Sequence, residues 1–216
     1  MICISIGKIP FQECLNTINR FECAEIRLDL AGFTPRQISR IFSQPVKLIA
    51  TCRAGNLPNE ARFHLLKNAI ESGAAFLDLE LEAPEEYKSE LIDFARTGGC
   101  EIIISYHNFR QTPPLSQLQQ KIAECLNSGA EIVKIACQVN TPADSARILS
   151  LYDSELGSKG KIIAIGMGKL GKITRVAAPM LGAPLTFASI SQENQTADGQ
   201  VQHNRLASLL DGLKHV

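Results

Sequence analysis

Short runs of β-branched and apolar residues recur along the chain, and longer stretches with helical spacing of polar and apolar positions lie between them. Eight runs predict strands, over 2–6, 24–30, 46–52, 75–81, 100–106, 131–136, 161–165 and 184–188. Helices are predicted between them, for example over 62–72, 84–97, 115–128 and 141–152, each of a length suited to a crossover between parallel strands. Several helices end in a small turn that leads straight into a strand: Ser72-Gly73-Ala74, Thr97-Gly98-Gly99 and Ser128-Gly129-Ala130. Glycine there supplies a left-handed cap. Pro35 behind Thr34 and Pro142 behind Thr141 mark helix starts, with proline in the first turn after an N-cap.

Regular strand–helix alternation argues for a parallel sheet. Eight units without a linker or a break in composition fit one α/β domain over 1–216, a single (β/α)8 barrel of the TIM type. An open doubly wound sheet has the same periodicity. Polarity inside the strands favours closure: Glu25, Arg27 and Asp29 alternate along one run and would share a face. A barrel mouth has a use for such charges.

Composition narrows the partners. Lys and Arg total 22, as do Asp and Glu, so no overall basic field draws in nucleic acid or an anionic membrane. A small molecule is the natural partner. No apolar run approaches the ~18 residues of a membrane span, and the apolar start at 2–6 lacks a basic n-region. Seven cysteines, an odd number with no CxxC pair, suit buried thiols in a reducing cytoplasm.

Two residues carry candidate chemistry. Lys134 sits in the apolar run Ile132-Val133-Lys134-Ile135-Ala136, where an ammonium group is costly to bury without partners; lysines so placed serve as nucleophiles. The other reading is a strand-end lysine whose head reaches solvent. An amine of the first kind forms a Schiff base with a ketone, and the iminium draws electrons from the neighbouring carbon until a modest base can take its proton. His107 follows Ile102-Ile103-Ile104-Ser105-Tyr106 and opens a loop at a strand's C-terminal end, where barrel enzymes keep their catalytic groups. Taken alone it reads equally as a structural histidine; beside Lys134 it reads as an acid–base group. His64 falls in a predicted helix, and His203 and His215 lie near the C-terminus, so no three-histidine metal site is apparent.

Arg53, Asp78, Glu80 and Arg175 also fall near strand ends, with Arg175 placed in a loop. Each alone reads as an ordinary surface ion pair; together they suggest a polar mouth. The stretch from Gly166 to Lys172 matches GxGxxG and nearly GxxxxGK[ST], but Ile173 replaces the magnesium-holding hydroxyl. Too little chain follows for a dinucleotide-binding half. The glycines are expected to shape the barrel mouth.

These residues resemble the type I 3-dehydroquinate dehydratases, the Schiff-base dehydratases of the shikimate pathway, across nearly the whole chain. The ordered set is Glu25-Ile26-Arg27-Leu28-Asp29, Thr51-Cys52-Arg53, Asp78-Leu79-Glu80, Ser105-Tyr106-His107-Asn108-Phe109, Val133-Lys134-Ile135-Ala136, Thr174-Arg175, Thr186-Phe187-Ala188 and Ala197-Asp198-Gly199-Gln200. The resemblance implies that Lys134 forms an imine with the C3 ketone of 3-dehydroquinate. His107 would remove a C2 proton and help the C1 hydroxyl leave, giving 3-dehydroshikimate. Arg175 would bind the substrate carboxylate, with Thr196 and Gln200 from a closing loop nearby. Glu25, Arg27 and Arg53 would hold the ring substituents, and Met167 would line the pocket. No metal or organic cofactor is implied, and a homodimer is the expected assembly.

Three departures accompany the resemblance. Ala54-Gly55-Asn56-Leu57-Pro58 stands where relatives carry an acid that orients the histidine and a Gly-Gly pair; the substitute could be Glu60, Asp78, Glu80 or nothing. In the closing loop, Thr196 replaces a common serine and Asp198 a common proline. The first strand also begins almost at Met1, without the N-terminal hairpin of many relatives. Two competing readings are a class I aldolase-type barrel and a ligand-binding barrel without turnover.

Overall fold

The structure is a computed structural model that describes residues 1–55 and 57–214, so Asn56, His215 and Val216 lie outside the described residues. The described residues form nine strands and ten helices; the strands are β1 (Ile2–Ile6), β2 (Cys23–Arg27), β3 (Lys47–Thr51), β4 (Phe76–Glu80), β5 (Glu101–Asn108), β6 (Ile132–Gln138), β7 (Ile162–Met167), β8 (Thr186–Ser189) and β9 (Val201–Gln202). The helices are α1 (Phe11–Ile18), α2 (Leu28–Ala31), α3 (Pro35–Phe42), α4 (Asn59–Glu71), α5 (Glu85–Thr97), α6 (Leu115–Asn127), α7 (Pro142–Leu149), α8 (Glu155–Ser158), α9 (Lys172–Met180) and α10 (His203–Lys214). A 3-10 turn over Ser150–Tyr152 extends α7. No helix among the described residues is long and apolar enough to cross a membrane.

All eight predicted strands form, and every ladder is parallel. The order β7-β6-β5-β4-β3-β2-β1-β8-β9 sets β1 between β2 and β8, as a sheet curling into a barrel requires. No ladder joins β7 to β8 among the described residues, so closure between those two rests on side chains. Ile163 and Ile165 of β7 pack with Phe187 of β8 and with Cys3, Cys23, Ile49, Phe76, Ile103 and Ile132 from the other strands. Residues from every wall meet in this inner cluster. Lys134 of β6 reaches both Glu25 of β2 and the Phe187 ring of β8, contacts across the interior that an open sheet could not make.

A larger cluster fills the space between strands and helices, which explains why runs such as Ile102-Ile103-Ile104 are apolar on both faces. The predicted caps form. Gln37 and Thr34 cap α3 reciprocally, and the Asp144 carboxylate accepts from the Asn140 and Thr141 amides at the start of α7. In the turn after α5, Gly99 rather than Gly98 takes the positive φ, of 69°. That turn crosses into β5 at once, and a side chain there would strain it.

Three placements differ from the sequence reading. β2 stops at Arg27, because Leu28–Ala31 turns into the short helix α2; Asp29 therefore does not lie on the strand face with Glu25 and Arg27. β5 runs on to Asn108, since the ladder with β6 continues through His107↔Ala136 and Asn108↔Cys137, so His107 stands inside the strand. Arg175 lies in the first half of α9 and is 2% exposed, instead of in a mouth loop. The two-residue β9, paired with β8, is an addition.

Candidate active site

The inner cluster gives way to a polar level toward the C-terminal ends of the strands. Ser5, Glu25, Thr51, Asp78, Ser105 and Lys134 come from six successive strands, all buried. Ladder register sets Ser5 beside Glu25, Thr51 beside Asp78 and Ser105 beside Lys134. Lys134 is the hub: Nζ donates to Asp78 Oδ2 at 2.8 Å and Glu25 Oε1 at 3.4 Å, and lies 4.2 Å from the centre of the Phe187 ring. The partners that a buried ammonium requires are thus present, and the solvent-reaching alternative does not hold: Lys134 is 5% exposed.

Each carboxylate is shared in turn. Glu25 accepts from Ser5 and, at 3.1 Å, from Thr51 Oγ1. Asp78 accepts from Arg53 Nη2 at 2.8 Å and from Ser105 Oγ at 2.6 Å, while Arg53 Nη1 donates to Ser105 Oγ at 2.7 Å. Burial pushes the Asp78 carboxyl up, but the Arg53 guanidinium and the Lys134 ammonium outweigh it and hold the group well below the usual carboxylate range. Glu25 behaves alike: burial raises it, Lys134 lowers it, Asp78 opposes, and the result lies below its ordinary value. Both stay ionised at neutral pH.

His107 lies one step further toward the mouth on β5, beside Ala136, which follows Lys134 by two residues. Its ring stacks on Phe109, with centroids 5.8 Å apart and planes 12° apart. Burial, then the cations Arg53 and Lys134, draw it well below the ordinary imidazole value, and Asp78 counteracts them only in part. The imidazole is neutral at pH 7. Among the described residues it makes no side-chain hydrogen bond with an acid. Of the three acids offered as orienters, Asp78 acts on it through charge. Glu80 is engaged with Ala54 and Arg62, and Glu60 lies in a separate surface recess with Tyr87 and Glu90.

A cavity of about 350 Å³ opens over Lys134 and His107. Every sequence-predicted site residue borders it: Glu25, Arg27, Arg53, Arg175, Thr196 and Gln200, with Met167 beside them. Asp29 reaches it from α2, its carboxylate taking Arg27 Nε and Nη2 at 3.0 and 2.7 Å. Arg175 donates Nη1 to Phe187 O at 3.2 Å, while its buried Nε has no partner. Burial lowers this arginine to about 10, and Asp198 and Glu25 offset that only partly; it remains a cation, and among the described residues it has no ion pair. Over the mouth, Arg27 Nη1 donates to Thr196 O at 3.5 Å, and the Gln200 amide both accepts from Thr196 N and donates to Thr196 Oγ1.

The glycine-rich segment is explained by packing. A Cβ on Gly171 would lie 2.4 Å from the Gly166 backbone, and one on Gly199 would lie 2.5 Å from Gly168 O. These glycines let the start of α9 cross the end of β7 and let the 196–200 loop seat on it. Among the described residues no group of three or more His, Cys, Asp or Glu could hold a metal ion. Sequence reasoning does not single out Ser5, Thr51, Ser105 or Phe187 as site residues. A lone polar residue at matching depth in successive apolar strands is the available signal for the first three; Phe187 stands out only as part of Thr186-Phe187-Ala188 in the ordered set of the family resemblance.

Comparison with known proteins points to one family. The family model for type I 3-dehydroquinase matches residues 2–215. A 3-dehydroquinate dehydratase of Methanococcus maripaludis is 35% identical over 222 residues, covering 97% of this chain and 98% of that one. One from Dehalococcoides mccartyi is 33% identical over 206 residues, covering 93% and 90%. The crystal structure of the 3-dehydroquinate dehydratase of Aquifex aeolicus superposes with a TM-score of 0.84 at 27% identity, covering all of both chains. On a family match that runs almost from end to end, the chain belongs to the type I 3-dehydroquinases.

Proposed function

We propose that Lys134 is the imine-forming amine and His107 the proton carrier in the dehydration of 3-dehydroquinate that this family performs. His107 takes a proton from the Lys134 ammonium, the freed amine adds to the C3 ketone, and the carbinolamine hydroxyl leaves as water with that proton, giving the iminium and neutral His107 again. The neutral His107 takes a C2 proton, and the electron pair moves onto the iminium nitrogen. Protonated His107 then delivers that proton to the C1 hydroxyl, which departs as water while the enamine electrons form the new double bond. Hydrolysis of the imine by a second water releases 3-dehydroshikimate and restores the amine.

The carrying observation is that His107 and Lys134 stand on adjacent strands and border one cavity, with Asp78 hydrogen-bonded to the lysine. Asp78 fills the electrostatic part of the orienting role left by the departure after Arg53. Arg175 supports the carboxylate assignment, because a buried guanidinium with a free Nε and no ion-pair partner is ready for an anion. Glu25, Arg27 and Arg53 supply donors and acceptors for the ring hydroxyls, and Thr196 and Gln200 close above them. An aldolase of sugar phosphates needs a phosphate cradle, and the glycines that resemble one are committed to backbone packing.

The same reading treats the chain as one catalytic domain. It places the enzyme in the cytoplasm, supported by seven free, buried thiols, and as a homodimer, supported by exposed Ile173 and Met180 on α9, Leu181 just after it, and Leu209 and Leu213 on α10. The direct test is ultraviolet absorbance of the conjugated enone formed from 3-dehydroquinate. The wild-type protein should produce it and Lys134→Met should not; equal signals from both would remove Lys134 from the mechanism.

A further inference from the structure

Arg53 stands two residues beyond β3, where the ladder with β4 has ended at Thr51↔Asp78. Its own backbone therefore lacks sheet pairing, yet its guanidinium must stay on Asp78 and Ser105. Rigidity has to come from elsewhere.

Two side chains hold the peptide groups on either side of Arg53, Arg62 from α4 and Glu80 from the rim of the same cavity. Before it, the Cys52 carbonyl accepts two hydrogen bonds from one guanidinium, Arg62 Nε at 3.1 Å and Nη2 at 2.8 Å. After it, the Ala54 amide donates to Glu80 Oε2 at 2.8 Å. The two holders are themselves paired, Arg62 Nη2 to Glu80 Oε2 at 3.1 Å. Arg62 is 3% exposed, and it is fixed in turn by Asn59 Oδ1 at 3.1 Å and by the Tyr87 ring, 5.3 Å from its guanidinium carbon. A planar fork locks a carbonyl in both direction and plane, which a lysine at this position could not do.

We infer that Arg62 and Glu80 form a brace that positions Arg53, so that α4 and β4 together set the guanidinium serving Asp78 and the substrate. Arg62 and Glu80 act through Arg53; the inference rests on the reading that Arg53 belongs to the catalytic machinery. A bond that merely tied α4 to the barrel would contribute to stability, whatever residue stood at 53.

A double-mutant cycle in kcat/KM for 3-dehydroquinate separates the two, with melting temperature measured on every protein. Arg62→Met alone should lose ~10–100-fold, the scale of a displaced positioning group. In an Arg53→Ala background the same substitution should change kcat/KM by less than about twofold. Glu80→Gln should repeat the pattern at smaller size, a loss in the wild-type background and none in Arg53→Ala; it carries the test if Arg62→Met does not fold. Losses that multiply in the double variant would overturn the brace while leaving Arg53 in the mechanism, as would a lower melting temperature with unchanged kcat/KM in Arg62→Met. An Arg53→Ala protein as active as wild type would overturn the reading of Arg53, and the brace with it.

Discussion

Two levels of the barrel interior are separated by a single step of two residues along each strand. The lower holds Cys3, Cys23, Ile49, Phe76, Ile103 and Ile132, and the upper holds Ser5, Glu25, Thr51, Asp78, Ser105 and Lys134. Both are buried, both come from the same six strands, and the pleat points both inward. The lower level removes apolar surface from water, at roughly 25 cal/mol per Å². The upper removes charges from water, and such buried pairs commonly break even at best against apolar replacements. Stability therefore belongs to the lower level, and the upper one is maintained for what it does to charge: it fixes two carboxylates beside an amine and leaves a histidine neutral above them.

Two positions on one strand make that division testable. His107→Ala at the upper end of β5 should lower kcat by ~10²–10⁴-fold, the usual loss of an acid–base group, with melting temperature nearly unchanged. Ile103→Ala, further down the same strand, should cost about 2–5 kcal/mol of stability by denaturant titration, with kcat of the folded protein retained. The reverse pattern in either variant would break the assignment of levels.

Much of this contrast is legible in the amino-acid sequence itself, for physical reasons. Strand runs are visible because parallel strands covered on both faces are almost wholly apolar, and against that background Lys134 stands out. Closure is suggested by charges inside a strand, although one of the three, Asp29, belongs to α2; a single turn of helix is too short to leave a periodic signal. Arg175 reads as a loop residue because Ile173-Thr174-Arg175-Val176 is β-branched and carries no helical pattern. The helix there is started by tertiary bonds, with Thr174 Oγ1 accepting from Gly166 N and donating to Gly171 O. The brace on Arg53 is hidden for a similar reason, since it joins α4, β4 and the end of β3 through backbone groups that side-chain patterns do not reveal.

Arg175→Ala sharpens the comparison at the edge of the upper level. The residue has no ion pair to lose, so melting temperature should hold, while substrate binding weakens by about 1.5–3 kcal/mol, the worth of a charge-assisted contact. A large fall in melting temperature with unchanged KM would make it a structural residue.

The smallest expected effect is in pH. Folded His107 titrates below the value of about 6.5 that it has in the unfolded chain, so its basic form persists into mildly acid solution, and the acid limb of kcat/KM, which reports the free enzyme, should lie below pH ~6.5. Across that window the unfolded chain binds a proton that the folded one refuses, so stability should fall as pH drops from about 6.5 to the folded value. Melting temperature should slope with pH there in the wild type and less so in His107→Ala. An acid limb above pH ~7 would contradict a neutral, depressed imidazole.

If Lys134 is the imine-forming amine, the hub of the upper level becomes covalently joined to substrate. Borohydride reduction of the wild-type protein during turnover of 3-dehydroquinate should leave a stable adduct, read as added mass on the intact chain and mapped by peptide mass to Lys134. The Lys134→Ala protein should gain no mass. An adduct that persists in Lys134→Ala, mapping to Lys169 or Lys172 at the glycine-rich turn, would contradict the account.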